Sequence, residues 1–108
     1  MTDKIVVLTA CDSLELASNL ARNLVEHHLA ACVNIVAGTR SIYRWQGKVE
    51  DAAEWLLVIK SRRDLFPALR AAVEKLHTYE VPELIAFPVV EGSEPYLAWL
   101  DRELTVPE

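Results

Sequence analysis

Glycine is scarce in this chain: three among 108 residues. That leaves little room for glycine-rich phosphate loops or flexible linkers, and it predicts well-packed elements joined by short connections. Cysteine is scarcer still. Two thiols, Cys11 and Cys32, cannot make the dense disulfide framework of a small secreted domain. With no secretory signal pattern, they read as reduced thiols of a cytoplasmic protein, packed as small hydrophobes. No apolar run is long enough to span a membrane, and residues 4–10 are also too short for a signal core. Basic residues are outnumbered, 11 Lys and Arg against 16 Asp and Glu, for a net charge of -5. A chain of that sign repels phosphate backbones, and its basic clusters, Arg40 with Arg44 and Lys60 with Arg62 and Arg63, are small, so no nucleic-acid partner is expected. There is no phosphate loop, nucleophile elbow, Cys-x-x-Cys pair or His-Glu-x-x-His. The common motif-borne chemistries therefore lack support, and no catalytic residue is assigned.

What the chain does have is apolar surface, 52% of its residues being hydrophobic. Its length fits one domain over residues 1–108, with no linker or repeat. Residues 5–8 form a short buried strand. Asp12 is placed to cap a helix, with Glu15 completing a capping box. Ala17, Leu20, Ala21, Leu24, Val25 and His28 then recur on one face, and the helix ends near Leu29. Residues 32–36 make a second strand, Gly38 marks a bend or bulge, and residues 41–45 alternate as a strand leading to a Gln46-Gly47 hairpin turn. Residues 55–59 are apolar on both faces, as in a central strand. Asp64 is placed to cap a second helix with Pro67 in its first turn and a stripe of Leu65, Leu69, Ala72, Val73 and Leu76. Residues 84–90 make the fourth strand, where Pro88 demands a sheet edge or a break. Ser93 caps a short last helix, on which Tyr96 and Trp99 are spaced to dock it.

This order, β-α-β-β-α-β with an added C-terminal helix, predicts an α+β ferredoxin-like sandwich: one antiparallel sheet with both main helices on one face. The other face is left bare. Tyr43, Trp45 and Trp55 are assigned to it, and an apolar face of that size predicts self-association.

Residues 77–99 carry the densest polar chemistry. His77, Tyr79 and Glu83 flank Pro82, which stops the helix and pushes Val81 to an extended conformation. Glu83 at a strand entrance is a candidate partner for Lys60, a lysine that ends an apolar run and wants a carboxylate or an anionic ligand. Lys60, His77, Tyr79 and Glu83 are thus the candidate ligand-binding set. His77 reads either as a cation at a helix C-terminus or as a metal ligand. Cys32 reads as a packed thiol or as a soft-metal ligand. Cys11, ahead of the first helix, is the thiol that the helix dipole would activate. His27 and His28, adjacent on a helix, point too far apart to chelate one ion, and His28 falls on the buried stripe.

The stretches Ala31-Cys32-Val33-Asn34-Ile35, Ser41-Ile42-Tyr43-Arg44-Trp45-Gln46-Gly47-Lys48, Glu54 to Lys60, and His77 to Leu100 with its Tyr-Glu-Val-Pro-Glu and Tyr-Leu-Ala-Trp-Leu together resemble the CutA family of divalent-cation tolerance proteins. The resemblance runs over nearly the whole chain. It implies a ferredoxin-like subunit in a tight homotrimer, the long hairpin strands pairing with neighbouring subunits, in an architecture similar to the PII signalling proteins that hold small ligands between subunits. It implies tolerance of copper and other divalent cations, no enzymatic reaction, no required cofactor, and a metal or small-ligand site at the inter-subunit cleft. One metal site proposed for the family uses a first-strand cysteine and two adjacent histidines after the second helix. Here Leu8 and Leu76-His77 stand at those positions, so only His77 carries over. Two other readings remain open on the same residues: a small acid–base enzyme in which His77 moves protons with Tyr79 or Glu83 orienting it, and a PII-like small-molecule sensor.

Overall fold

The computed structural model describes residues 1–107. Strand β1 (Lys4–Cys11) leads into helix α1 (Leu14–Glu26) and strand β2 (Cys32–Trp45). A tight turn leads into strand β3 (Lys48–Arg62); a 3-10 turn (Arg63–Leu65) then opens helix α2 (Phe66–Leu76), followed by strand β4 (Ile85–Pro88) and helix α3 (Glu94–Glu103). The sheet order is β2-β3-β1-β4, every neighbour antiparallel. β1 and β2 are therefore the outer strands of a split β-α-β unit with β3 between them, as the sequence predicts. Among the described residues no helix is long and apolar enough to cross a membrane.

Side-chain alternation along each strand divides the sheet into two faces. Ile5, Val7 and Cys11 of β1 and Leu57 and Ile59 of β3 join Leu20 and Leu24 of α1 and Leu69 and Val73 of α2 in one core. Full burial of each such leucine contributes roughly 1.5–3 kcal/mol. Leu100 and Leu104 attach α3 to the same core. The opposite face carries Val6 and Leu8, Leu56 and Val58, and Ile85 and Phe87, set side by side by the strand register. Phe87 is 49% exposed and Ile85 47%.

The register corrects one assignment. Trp55 pairs with Cys11, which is fully buried, so it stands on the helix-covered face and packs partly into the core. Tyr43 and Trp45, opposite Glu50 and Lys48, share the uncovered face with Glu54, the bulge between Val36 and Thr39 lying before them. Residues 32–45 form a single strand interrupted by that bulge, where Gly38 has φ 76. The hairpin tip has Gln46 at φ 50 and Gly47 at φ 81, two successive left-handed residues whose twist matches the strands they join.

The caps differ from expectation. Ser13, rather than Asp12, accepts the Leu16 N–H and starts α1. Asp64 caps nothing: it accepts from Arg62, and α2 opens through the 3-10 turn with no side-chain cap. His28 is exposed and outside α1, in the left-handed conformation at φ 58 that ends the helix. Its Nδ1 lies 3.1 Å from the Glu103 carbonyl, and its own carbonyl accepts from Thr105 N–H. The strong helical periodicity runs two residues past the point where the chain turns. Val25 and Leu76, also placed on buried stripes, are exposed. β4 is shorter than residues 84–90 and sits at the sheet edge, the position Pro88 requires.

Candidate functional site

The segment after α2 folds back over the end of β1. At the helix C-cap, His77 turns to an extended backbone, ψ 145, while its N–H still donates to Val73. Its side chain is 9% exposed. The Nε2 atom lies 2.8 Å from the Ala10 carbonyl, and Nδ1 accepts the Tyr79 N–H at 3.0 Å. A carbonyl only accepts and an amide only donates, so these partners assign the proton to Nε2 and the lone pair to Nδ1. Both nitrogens are occupied. The ring is a clamp between β1 and the 77–83 segment, and it offers no free lone pair to a metal or to a substrate proton.

Two residues on, the Tyr79 ring lies 4.7 Å from that of His77, tilted by 45°. Its hydroxyl donates to Glu54 Oε2 at 2.6 Å. Burial, and then this bond to a carboxylate, push the phenol well above its ordinary range, so it stays a donor. Glu54 is 6% exposed and faces Thr39 across the hairpin just beyond the bulge. Together these groups floor a cleft of about 670 Å³ between the hairpin and the 78–83 segment, walled by Tyr43, Trp45, Glu80 and Glu83.

Tyr79 and Glu83 thus meet in one cleft, with His77 clamping its wall from behind. Lys60 does not join them. It lies six positions along β3 from Glu54, roughly 20 Å at strand spacing, pairs across the sheet with Cys32 and Val6, and donates to Asn34 Oδ1. The proposed Lys60–Glu83 pair is corrected on that ground. Cys32 is half-buried beside Lys60, and among the described residues no three His, Cys, Asp or Glu side chains gather as a metal site. The donor set of one subunit therefore does not fit a closed metal centre, which wants about four ligands. Cys11 also departs from expectation: it is fully buried, its thiol directed at the Ser13 carbonyl. Burial pushes its pKa up, the reverse of helix-dipole activation.

The residue that sequence reasoning missed is Glu54. Its one signal is position: a carboxylate beginning an apolar strand, where a solvated charge has little reason to sit.

An antiparallel four-stranded sheet with two crossover helices on one face and a cleft at the base of a long hairpin defines a ferredoxin-like α+β domain. The chain belongs to the CutA1 divalent ion tolerance protein family, which it matches over residues 5–103. It is 52% identical over 100 residues to the divalent-cation tolerance protein CutA of Thermus thermophilus, covering 93% of this chain and 96% of that protein. It is 47% identical to a chloroplastic CutA of Arabidopsis thaliana over 89% of this chain and 53% of that protein, so it spans about half the length of the plant relative. The solved T. thermophilus structure superposes with a TM-score of 0.92 at 48% identity, covering 94% of this chain and 99% of that one. A CutA structure from Archaeoglobus fulgidus, described as periplasmic, gives 0.90 at 35% identity over 93% and 97%.

Proposed function

We propose that this chain acts as a non-enzymatic homotrimeric binding protein of divalent-cation tolerance, holding a metal ion, copper foremost, or a small ligand in clefts completed between subunits. The observation that carries this reading is the uncovered sheet face. Phe87, Ile85, Val36, Tyr43 and Trp45 are each at least 40% exposed there, and an apolar face of that breadth marks a surface another chain covers. A second chain is also what a metal ion needs, since the described residues of one subunit gather too few ligands. The two free cysteines suit a reducing compartment, in keeping with a cytoplasmic location.

Sedimentation equilibrium tests the assembly: the expected mass is three times the 12.2 kDa chain, and a stable monomer at micromolar concentration overturns the reading. Titration of the metal-free protein with copper(I), copper(II) and zinc tests the ligand, with binding expected only by the assembled form. The acid–base alternative gains no support from His77, whose two nitrogens are held by backbone groups.

A further inference from the structure

Among the described residues Glu54 is the one buried carboxylate. A carboxylate taken out of water asks for several donors or a cation. Glu54 has a single neutral donor, the Tyr79 hydroxyl on Oε2. Its other oxygen, Oε1, takes no hydrogen bond from any described residue, and no Lys, Arg or His lies within ion-pair distance. The same side chain lines the cleft, and among the described residues no basic side chain lines it. The carboxylate thus stands at the floor of the cleft, mostly buried, with no counter-ion among the described residues.

The walls indicate which cation would supply it. Tyr43, Trp45 and Tyr79 are aromatic, and Glu80 and Glu83 add negative charge at the exposed rim. Hard metal ions need oxygen ligands crowded at about 2.0–2.6 Å, and these carboxylates are not grouped that closely. Aromatic faces are poor ligands for hard metal ions, but they attract weakly hydrated cations. The volume of about 670 Å³ lies within the range of small-molecule sites.

We propose that this cleft binds a small, free organic cation, an ammonium-bearing molecule whose charged head meets Glu54 and whose apolar body lies against Tyr43 and Trp45. The inference rests on the preceding reading of the cleft as a ligand site and names the ligand class.

The test is calorimetric titration of the full chain with choline, with 3,3-dimethyl-1-butanol, which has the same shape without the charge, and with magnesium, zinc and copper(II), while light scattering records the assembly in each cell. Choline should bind, and the neutral alcohol should bind at least about tenfold more weakly. Glu54→Gln should weaken choline about tenfold or more. Should that buried substitution compromise folding, the surface pair Glu80→Gln/Glu83→Gln should weaken choline several-fold and flatten its salt dependence. The proposal is overturned if an assembled trimer takes up no choline to about 10 mM, if the alcohol binds equally well, or if a divalent metal occupies a Glu54-dependent site that choline does not. A trimer without choline binding sinks this inference alone. A monomer that binds choline supports the cleft and sinks the trimer.

Discussion

His77 bridges the end of α2 and the end of β1, giving one hydrogen to the Ala10 carbonyl and taking one from the Tyr79 amide. Truncation leaves a buried carbonyl and an amide without partners, a loss of about 2 kcal/mol. His77→Ala should therefore lower the denaturant midpoint by that equivalent while leaving copper and zinc isotherms unchanged; an altered isotherm with unchanged stability would contradict the clamp. Tyr79 makes a second prediction at this scale. Its phenol pKa is raised in the folded protein above the ordinary value of 10.0, so folding favours the protonated form. That contribution is complete below pH 10 and is lost as pH climbs through the folded-state value. Unfolding free energy measured across alkaline pH should fall in that region, and Tyr79→Phe should flatten the fall. Residue identity alone could not foretell either role. The sequence offered His77 and Tyr79 as polar groups near a proline, and only the fold-back of residues 77–83 onto the sheet supplied their partners, Ala10 on β1 and Glu54 on β3. Cys11 shows the same limit, because its position before α1 argued for activation and its complete burial decided otherwise.

At the scale of elements, α3 is fastened by chemistry its own sequence does not announce. Asp101 accepts from Arg62 at 2.9 Å and lies 3.2 Å from Lys4 Nζ, tying the helix to β3 and β1. Those two cations hold the Asp101 carboxyl below its ordinary value of 3.8. A depressed carboxyl contributes stability above the unfolded-state value and loses it as pH falls through the folded one. The protection of α3 amides relative to their intrinsic exchange rates should fall below about pH 4, and Asp101→Asn should remove that acid response while lowering protection at neutral pH. The elements most legible beforehand were those with local causes: the Gln46-Gly47 turn, the Gly38 bulge, and Pro88 at an edge follow from backbone conformation. Helix ends were less legible. Ser13 and Asp12 are equally good caps by type, and it is Ser13 whose extended backbone, φ -146 and ψ 148, brings its side chain to the Leu16 N–H. His28 continues the apolar period of α1, yet the tie from its carbonyl to Thr105 holds it in a left-handed turn. The face assigned to Trp55 failed for a related reason: period two is visible in β3, but which parity faces the helices depends on its register with β1.

The molecule as a whole is longer than a compact domain of its size. It measures 44 × 28 × 22 Å with a radius of gyration of 14.3 Å, against about 13 Å expected for a hundred-residue sphere-like fold. The excess lies in the β2–β3 hairpin, whose residues 44–51 are all exposed in a single chain. A subunit whose hairpin and sheet face await cover should melt at a temperature that rises with protein concentration. Phe87→Glu, a charge placed on the uncovered face, should abolish that dependence and yield monomer in sedimentation; a melting temperature insensitive to dilution would count against assembly. The ferredoxin-like order was readable from the alternation of strands and helices, but the cleft was not, because its floor comes from β3 and its wall from residues beyond α2.

One consequence of the topology concerns the chain's birth. β1 precedes the other three strands in the chain yet lies inside the sheet, between β3 and β4. It cannot be flanked on both sides until residues 85–88 exist, so this strand waits through the synthesis of more than seventy further residues for its last neighbour. Folding by such distant pairings is slow to start and leaves apolar strand edges open meanwhile. A nascent or truncated chain ending before β4 would therefore be the aggregation-prone form of this protein and the natural client of a chaperone.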